Sequence, residues 1–271
     1  MREKFYGKIE QTKCESIIDL YVEEIKINGF TIIEDVLTSD ELKKYREKID
    51  KIYHIQEKNF GIDKLYKINE INMCRMPLKY DDYFINIATN RIVLKVVEKI
   101  LGKFYILNLQ NAIINKPNQE HHQSSWHRDL PYQNWVISKP LSINALFCID
   151  DFSVETGGTI VVPYTHKLEI LPSDEYIERH AITVNAKAGS VIVFDSMLLH
   201  KAGFNSSNII RRAVNHQYQI ALLKQFYDFP KALKGKFKED PFLAQLLGYT
   251  SQVPLDDIEW RKNRYEKMCN L

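Results

Sequence analysis

The stretch SSWHRDLPYQ (residues 124–133) carries His127 and Asp129 two positions apart, and FDSMLLHKAGFNSSNIIRRAV (194–214) brings His200 71 residues after Asp129. On an extended strand, residues i and i+2 point the same way. His127 and Asp129 can therefore reach one ion from one strand end, with His200 as a third ligand from a distant strand. Two imidazoles and one carboxylate leave about three positions of an octahedron open, an arrangement suited to non-haem Fe(II) in oxygenases. The open positions matter because a bidentate cosubstrate and O2 must bind side by side. H-x-D alone is a weak signal. It sharpens in order: H-x-D, then His200, then an arginine at position 211, eleven residues on. An arginine early in a final strand can hold a dicarboxylate through a bidentate fork. Neighbours on a strand face opposite ways. Arg211 shares its face with Ala213, Asn215 and Gln217, and Arg212 shares the bulkier one with Val214, His216, Tyr218 and Ile220, so Arg211 is expected at the pocket.

The other histidines read differently. His121 and His122 lie in the polar stretch NQEHHQSS and are expected in an exposed loop. His166 and His180 sit in or beside turns and read as surface or capping residues. His216, among large apolar neighbours, reads as a hydrogen-bonded core histidine. His54 falls near a helix end, where a cation is mildly favoured.

These residues need a scaffold, and 271 residues with 45% hydrophobic composition can build one. The 37 basic and 35 acidic residues leave a net charge of +2, which favours neither a nucleic-acid nor a membrane surface. Cys14, Cys74, Cys148 and Cys269 form no C-x-x-C pair, so no zinc knuckle or redox dithiol is indicated. The start, MREKFYGKIEQ, lacks the apolar centre of a signal peptide, and no apolar run is long enough to span a membrane. A cytoplasmic protein with a small-molecule substrate is the expectation. The NSS at Asn205 reads as a chance sequon, and Lys231, Lys234, Lys236 and Lys238 as a solvated face rather than a seat for an anion.

The first hundred residues read as helical after a short strand at 30–34. Thr38 and Glu41 form a capping box, and Leu42, Tyr45, Ile49 and Ile52 follow at helical spacing. NRIVLKVVEKIL (90–101) is a second amphipathic helix, stopped by Gly102. Strand candidates then follow at 104–116, at 141–150, in GGTIVVP, HAITVNA and GSVIVFDS, and at 211–223. The tail returns to helix at 239–247 and 256–268, with Asp256 as N-cap. The expected class is mainly β with flanking helices. We expect one domain over 1–271, with a helical N-terminal part (1–103), a β core (104–223) and a helical tail (224–271).

The ordered set resembles the phytanoyl-CoA dioxygenase family of Fe(II)/2-oxoglutarate-dependent oxygenases over residues 28–250. GFTIIEDVLTSDEL is similar to its N-terminal strand and helix, and WHRD to its first metal motif. GGTIVVPYTHK resembles its G-x-L-x-x-x-P-G-S-H stretch, and AGSVIVFDSMLLHKAGFNSSNIIRRA its distal-histidine segment. The resemblance implies a double-stranded β-helix (a jelly-roll, cupin-like core) of two antiparallel sheets, with metal at one mouth. It implies His127, Asp129 and His200 as the iron ligands and Arg211 as the partner of the far carboxylate of 2-oxoglutarate. Gln110, 17 residues before His127, matches a cosubstrate-contacting Gln of some bacterial hydroxylases in the family. Ser142 and Asn144 fall where a polar residue on the next strand does similar work. Trp126, Tyr132 and Gln133 flank the metal motif and are the candidates for substrate contact, with core packing as the competing reading for Trp126.

Two departures bear on substrate rather than chemistry: Lys201 stands where the family often has Gly, and PYTH replaces PGSH. Asp129 is retained where halogenating relatives carry Ala or Gly, which implies hydroxylation or a related C–H oxidation. The implied reaction converts 2-oxoglutarate and O2 to succinate and CO2 while a small-molecule metabolite or biosynthetic intermediate is oxidised. Two alternatives stay open: a non-catalytic binding protein on the same fold, and a cupin-like metalloenzyme that does not use 2-oxoglutarate.

Overall fold

The structure, a computed structural model, describes residue 7, residues 10–130 and residues 133–269. Its first helix, α1 (Ile17–Asn28), starts at Ser16, whose side chain accepts from the Asp19 amide, and stops at Gly29. Strand β1 (Phe30–Ile33) leads into α2 (Ser39–Phe60), where Thr38 and Glu41 make both halves of the capping box. Leu42, Tyr45, Ile49 and Ile52 form the buried stripe of α2. Next come α3 (Ile62–Lys67), β2 (Met73–Arg75), α4 (Phe84–Ala88) and α5 (Arg91–Leu101), the last capped by Asn90 and ended at Gly102. Strand β2 corrects the all-helical reading of this region after β1. Three residues are too few to display an alternation, and the strand exists only through its pairing of Cys74 with Ala112.

The rest is largely sheet: β3 (Tyr105–Asn115), β4 (Ser142–Cys148), β5 (Thr159–Val161), β6 (Ile182–Thr183), β7 (Val191–Asp195), β8 (His200–Ala202) and β9 (Arg211–Ile220). Helix α6 (Asp174–His180) interrupts the strands, where no helix was expected, and HAITVNA contributes only the two residues of β6. The tail forms α7 (Phe229–Leu233), α8 (Pro241–Leu246) and α9 (Asp257–Cys269). Asp256 caps α9 by accepting the Glu259 amide at 2.8 Å.

All strand pairing is antiparallel, in a six-stranded sheet ordered β1-β7-β4-β9-β3-β2 and a three-stranded sheet ordered β6-β5-β8. The large sheet is covered on both faces. One face packs on α1, α2, α4 and α5 through Phe147, Val193, Val214 and Tyr218. The other meets the small sheet through Ile113, Leu146, Ile192 and Ala213, which pack with Val161 and Val184. Two facing antiparallel sheets of this kind are a double-stranded β-helix. Every residue of β4 is buried, which explains why its sequence reads as a continuous apolar run rather than an alternation. Among the described residues no helix is long and apolar enough to cross a membrane.

Candidate metal centre and adjoining clefts

His127 and His200 face each other as an isolated antiparallel bridge at the edge of the small sheet. Each amide donates to the other's carbonyl, at 3.0 and 3.1 Å, so the two side chains leave the sheet on one face. Two residues on, the Asp129 amide donates to the Ser196 carbonyl at 2.9 Å and keeps the H-x-D segment extended. The result brings the three sequence candidates together. His127 Nε2 and His200 Nε2 lie 3.6 and 3.8 Å from Asp129 Oδ1, and all three ligand atoms lie within 4.8 Å of one another.

The surroundings prepare these atoms for a cation. His127 Nδ1 lies 2.8 Å from the Ser125 carbonyl and His200 Nδ1 lies 2.9 Å from the Leu198 carbonyl. A carbonyl can only accept, so each Nδ1 carries the proton and each Nε2 presents a lone pair. Burial pushes the His200 imidazole below its ordinary pKa, against the pull of Asp129, and keeps it in the neutral form that binds metal. Asp129 Oδ2 accepts from Asn144 Nδ2 at 2.6 Å, which leaves Oδ1 for the ion. Two aligned imidazole nitrogens and one carboxylate oxygen fit Fe(II) with coordination positions to spare.

Arg211 is the second part of the site. It is 1% exposed and lines a narrow cleft with His127, Asp129, His200, Phe194 and Asn215. Its Nη2 donates to the Gly157 carbonyl at 2.7 Å, its guanidinium carbon sits 4.4 Å from the centre of the Phe152 ring, and its Nε has no partner. Burial lowers its pKa to about 10, so it stays cationic at neutral pH. A buried cation without a carboxylate is costly, and its unsatisfied Nε points to an anionic ligand. Gly157 and Gly203 permit the close approach that frames it: a Cβ on Gly157 would meet the Gly203 carbonyl at 2.5 Å. Arg212 leaves the opposite face. It pairs with both oxygens of Asp50 at 2.8 Å and with Asp150 at 3.1 Å, tying β9 to α2.

The remaining candidates divide. Asn144 and Ser142 lie under the metal site, but their bonds run to protein atoms. Asn144 holds Asp129, and Ser142 Oγ donates to the Tyr218 carbonyl at 3.0 Å while accepting from Ser196 Oγ at 2.9 Å. Asn144 is therefore placed to position Asp129, and Ser142 supports the Ser196 hydroxyl beside it. Gln110 is not at the site. It pairs in register with His216 on the helix-facing side, where its amide meets His216 Nε2 at 2.8 Å, the Phe84 carbonyl at 3.0 Å and the Leu78 amide at 2.9 Å. The neighbouring Asn111, opposite Asn215, occupies the cleft side instead. The register shift between Leu107 and Leu109 makes the facing of β3 hard to count from its sequence.

Trp126 shows the packing reading of its two. It packs against Val162, Ile177 and Leu199 with Lys201 Nζ 4.8 Å above its ring, and it lines neither cleft. Gln133 lines a second cleft, of about 680 Å³, that opens from the triad. Tyr132 lies outside the described residues. Missed by the sequence reading are Ser196, Asn108 and Gln219. Ser196 bonds Asn144, and the other two line the larger cleft. The polar face of β9 was the available signal for Gln219.

Among the other histidines, His216 is a buried core residue, as expected, and burial lowers its pKa to about 3. His121 and His166 are not at the surface: they are 6% and 4% exposed. The turn His122–Ser124 packs against β8 and covers His121, and His166 sits beneath Gly29, where a Cβ would approach its Nδ1 to 2.7 Å. Asn205 is fully buried, with its amide donating to the Asn115 and Ile209 carbonyls at 2.9 Å, so the sequon is structural. The four tail lysines are exposed and line neither cleft.

Comparison with known proteins adds four findings. The family described as Phytanoyl-CoA dioxygenase (PhyH) matches residues 25–213. An uncharacterized protein of Mycobacterium tuberculosis is 34% identical over 247 residues, covering 87% of this chain and 88% of that protein. The peroxisomal phytanoyl-CoA dioxygenase of Homo sapiens is 24% identical over 224 residues, 72% of this chain and 66% of the human protein. Among solved structures, the epimerase SnoN in complex with Fe3+, alpha ketoglutarate and nogalamycin RO aligns over 76% of this chain and 84% of its own, with a TM-score of 0.57 and 16% identity. At that identity the likeness is one of fold.

Proposed function

The chain belongs to the phytanoyl-CoA dioxygenase family, and from that premise we propose that it is an Fe(II)- and 2-oxoglutarate-dependent dioxygenase that hydroxylates a small molecule. The observation that carries the reading is the pairing of a His–Asp–His cluster with a buried, carboxylate-free arginine in one cleft. Neither a purely binding protein nor a metalloenzyme without 2-oxoglutarate has use for both.

The division of labour follows from the geometry. His127, Asp129 and His200 would hold the ion, with tautomers fixed by the Ser125 and Leu198 carbonyls. Arg211 would pair with the far carboxylate of 2-oxoglutarate. Bound at this triad, Fe(II) with 2-oxoglutarate supplies the activation of O2 that yields succinate and CO2 and places one oxygen atom on a substrate C–H carbon. Phe194, Ile113 and Leu146 form the apolar wall of the narrow cleft. The wider cleft would orient the substrate beside the triad.

The test uses anaerobic protein loaded with Fe(II). Adding 2-oxoglutarate should produce a metal-to-ligand charge-transfer band, and admitting air should yield slow, substrate-free succinate formation. Alanine at His127, Asp129 or His200 should abolish both signals. No band with the native protein, or full activity after Asp129→Ala, would count decisively against the reading.

A further inference from the structure

The wider cleft carries polar groups for which the oxidation itself has no use. Gln123 has both ends of its side chain free among the described residues, and it stands where the two clefts meet. Among the described residues, Asn215, at the same junction, engages only its oxygen, with Asn144, leaving its NH2 group open. Gln219 there engages only its nitrogen, with the Leu223 and Lys224 carbonyls, leaving its oxygen open. Gln133 Oε1 is buried without a partner among the same residues. Open donors and acceptors thus share one space of about 680 Å³, ample for a small ligand.

Charge in the cleft is one-sided. Asp129 is its only carboxylate among the described lining residues, and it faces the ion site. Lys224 and Arg128 also line it, and neither makes an ion pair among the described residues. Among the described residues Arg128 donates to the Thr165, Leu168 and Glu169 carbonyls, which leaves Lys224 as the cation open to a ligand. Trp135 and Phe226 supply aromatic surface on the same cleft.

Building on the dioxygenase reading, we propose that the substrate is a hydroxyl-rich small molecule bearing an acidic group, a sugar acid or sugar phosphate in class, and not an aliphatic acyl chain. An acyl chain would strip water from the four open amide groups and offer nothing in return, and unmet buried polar groups are penalised individually. A hydroxyl both donates and accepts, so a polyol can satisfy open nitrogen and oxygen ends alike. The C–H faces of its ring suit Trp135 and Phe226. Its acidic group answers Lys224, which makes no ion pair among the described residues.

The test is calorimetric titration of the Ni(II)-loaded protein, first with 2-oxoglutarate and then with probes. The 2-oxoglutarate heat scores the metal and cosubstrate reading by itself. The probes are glucuronate, glucose 6-phosphate and inositol 1-phosphate, against decanoate and decanoyl-CoA; the first three separate carboxylate from phosphate recognition. Binding of at least one acidic polyol is expected, weakened tenfold or more by Gln123→Leu and by Lys224→Ala, both surface-accessible positions. Binding of an acyl probe that Gln123→Leu leaves unchanged would overturn the proposal, as would silence from all three polyols.

Discussion

Asn144 Nδ2 lies 2.6 Å from Asp129 Oδ2, and this contact decides which carboxylate oxygen faces the two imidazoles. Asn144 is itself held by Ser196, whose hydroxyl donates to the Asn144 side-chain oxygen, and Gln217 donates to the Asp129 carbonyl at 3.2 Å. The outer partners of a ligand fix its orientation and tune its affinity for metal. Asn144→Ala should weaken Fe(II) or Co(II) binding by about 10–100-fold while the fold persists. Metal titration followed by absorbance checks this, and wild-type affinity in a folded variant would remove Asn144 from the positioning role.

Arg211 and Arg212 are adjacent in sequence and opposed in space, so their alanine variants should fail differently. Arg211→Ala leaves the 2-oxoglutarate carboxylate without its cation, a loss of about 3–5 kcal/mol, or a hundredfold or more in affinity, with metal binding intact. Arg212→Ala breaks the Asp50 and Asp150 pairs and should cost about 1–3 kcal/mol of stability with little change in 2-oxoglutarate affinity. Titrations and urea unfolding of the two variants give the answer, and an exchange of the two phenotypes would reverse the assignment.

Gln110 offers a cleaner separation of packing from binding. Gln110→Ala strips partners from the Leu78 amide and from His216 Nε2. Each unmet group costs about 1–3 kcal/mol, so a large fall in urea stability is expected. The 2-oxoglutarate affinity of the surviving folded protein should stay within about twofold. A selective loss of 2-oxoglutarate binding at native stability would return Gln110 to the cosubstrate site.

Asp195 sets a pH dependence. Burial raises its carboxyl from 3.8 to about 6, only partly offset by the Met197 amide and by the fields of Lys167 and Arg128. A raised folded-state pKa stabilises below the unfolded value, and that contribution disappears as pH rises through about 6. At pH 8 the buried carboxylate is charged and costs the fold on the order of 3 kcal/mol. Asp195→Asn keeps an acceptor for the Met197 amide and cannot ionise. Relative to wild type it should gain stability between pH 4 and pH 8, on the order of that amount. Urea midpoints at both ends of the range measure it, and a pH-independent difference would show that the Asp195 carboxyl has the same pKa in the folded and unfolded protein.

Periodicity and capping made much of the scaffold legible in the residues alone. The Thr38–Glu41 box and the Gly102 stop depend on interactions within a few residues, and the α2 stripe and the long strands β3, β4, β7 and β9 carry their residue pattern within one element, which a sequence displays directly. The alternation of β9 likewise separated Arg211 from Arg212, because a regular strand has a fixed period. Tertiary structure alone decided what depends on a partner. The two- and three-residue strands β2, β6 and β8 exist only through pairing. Gln110 and Asn111 were assigned to faces by their register with β9 across a bulge, and His121 was buried by a turn that folds onto β8. The convergence of His127 and His200 is of the same kind. Their positions are 73 apart in sequence, and two backbone hydrogen bonds across a sheet edge close that gap. Local patterns are written within one helical or strand period, whereas a site assembled across strands depends on pairings that no short stretch encodes.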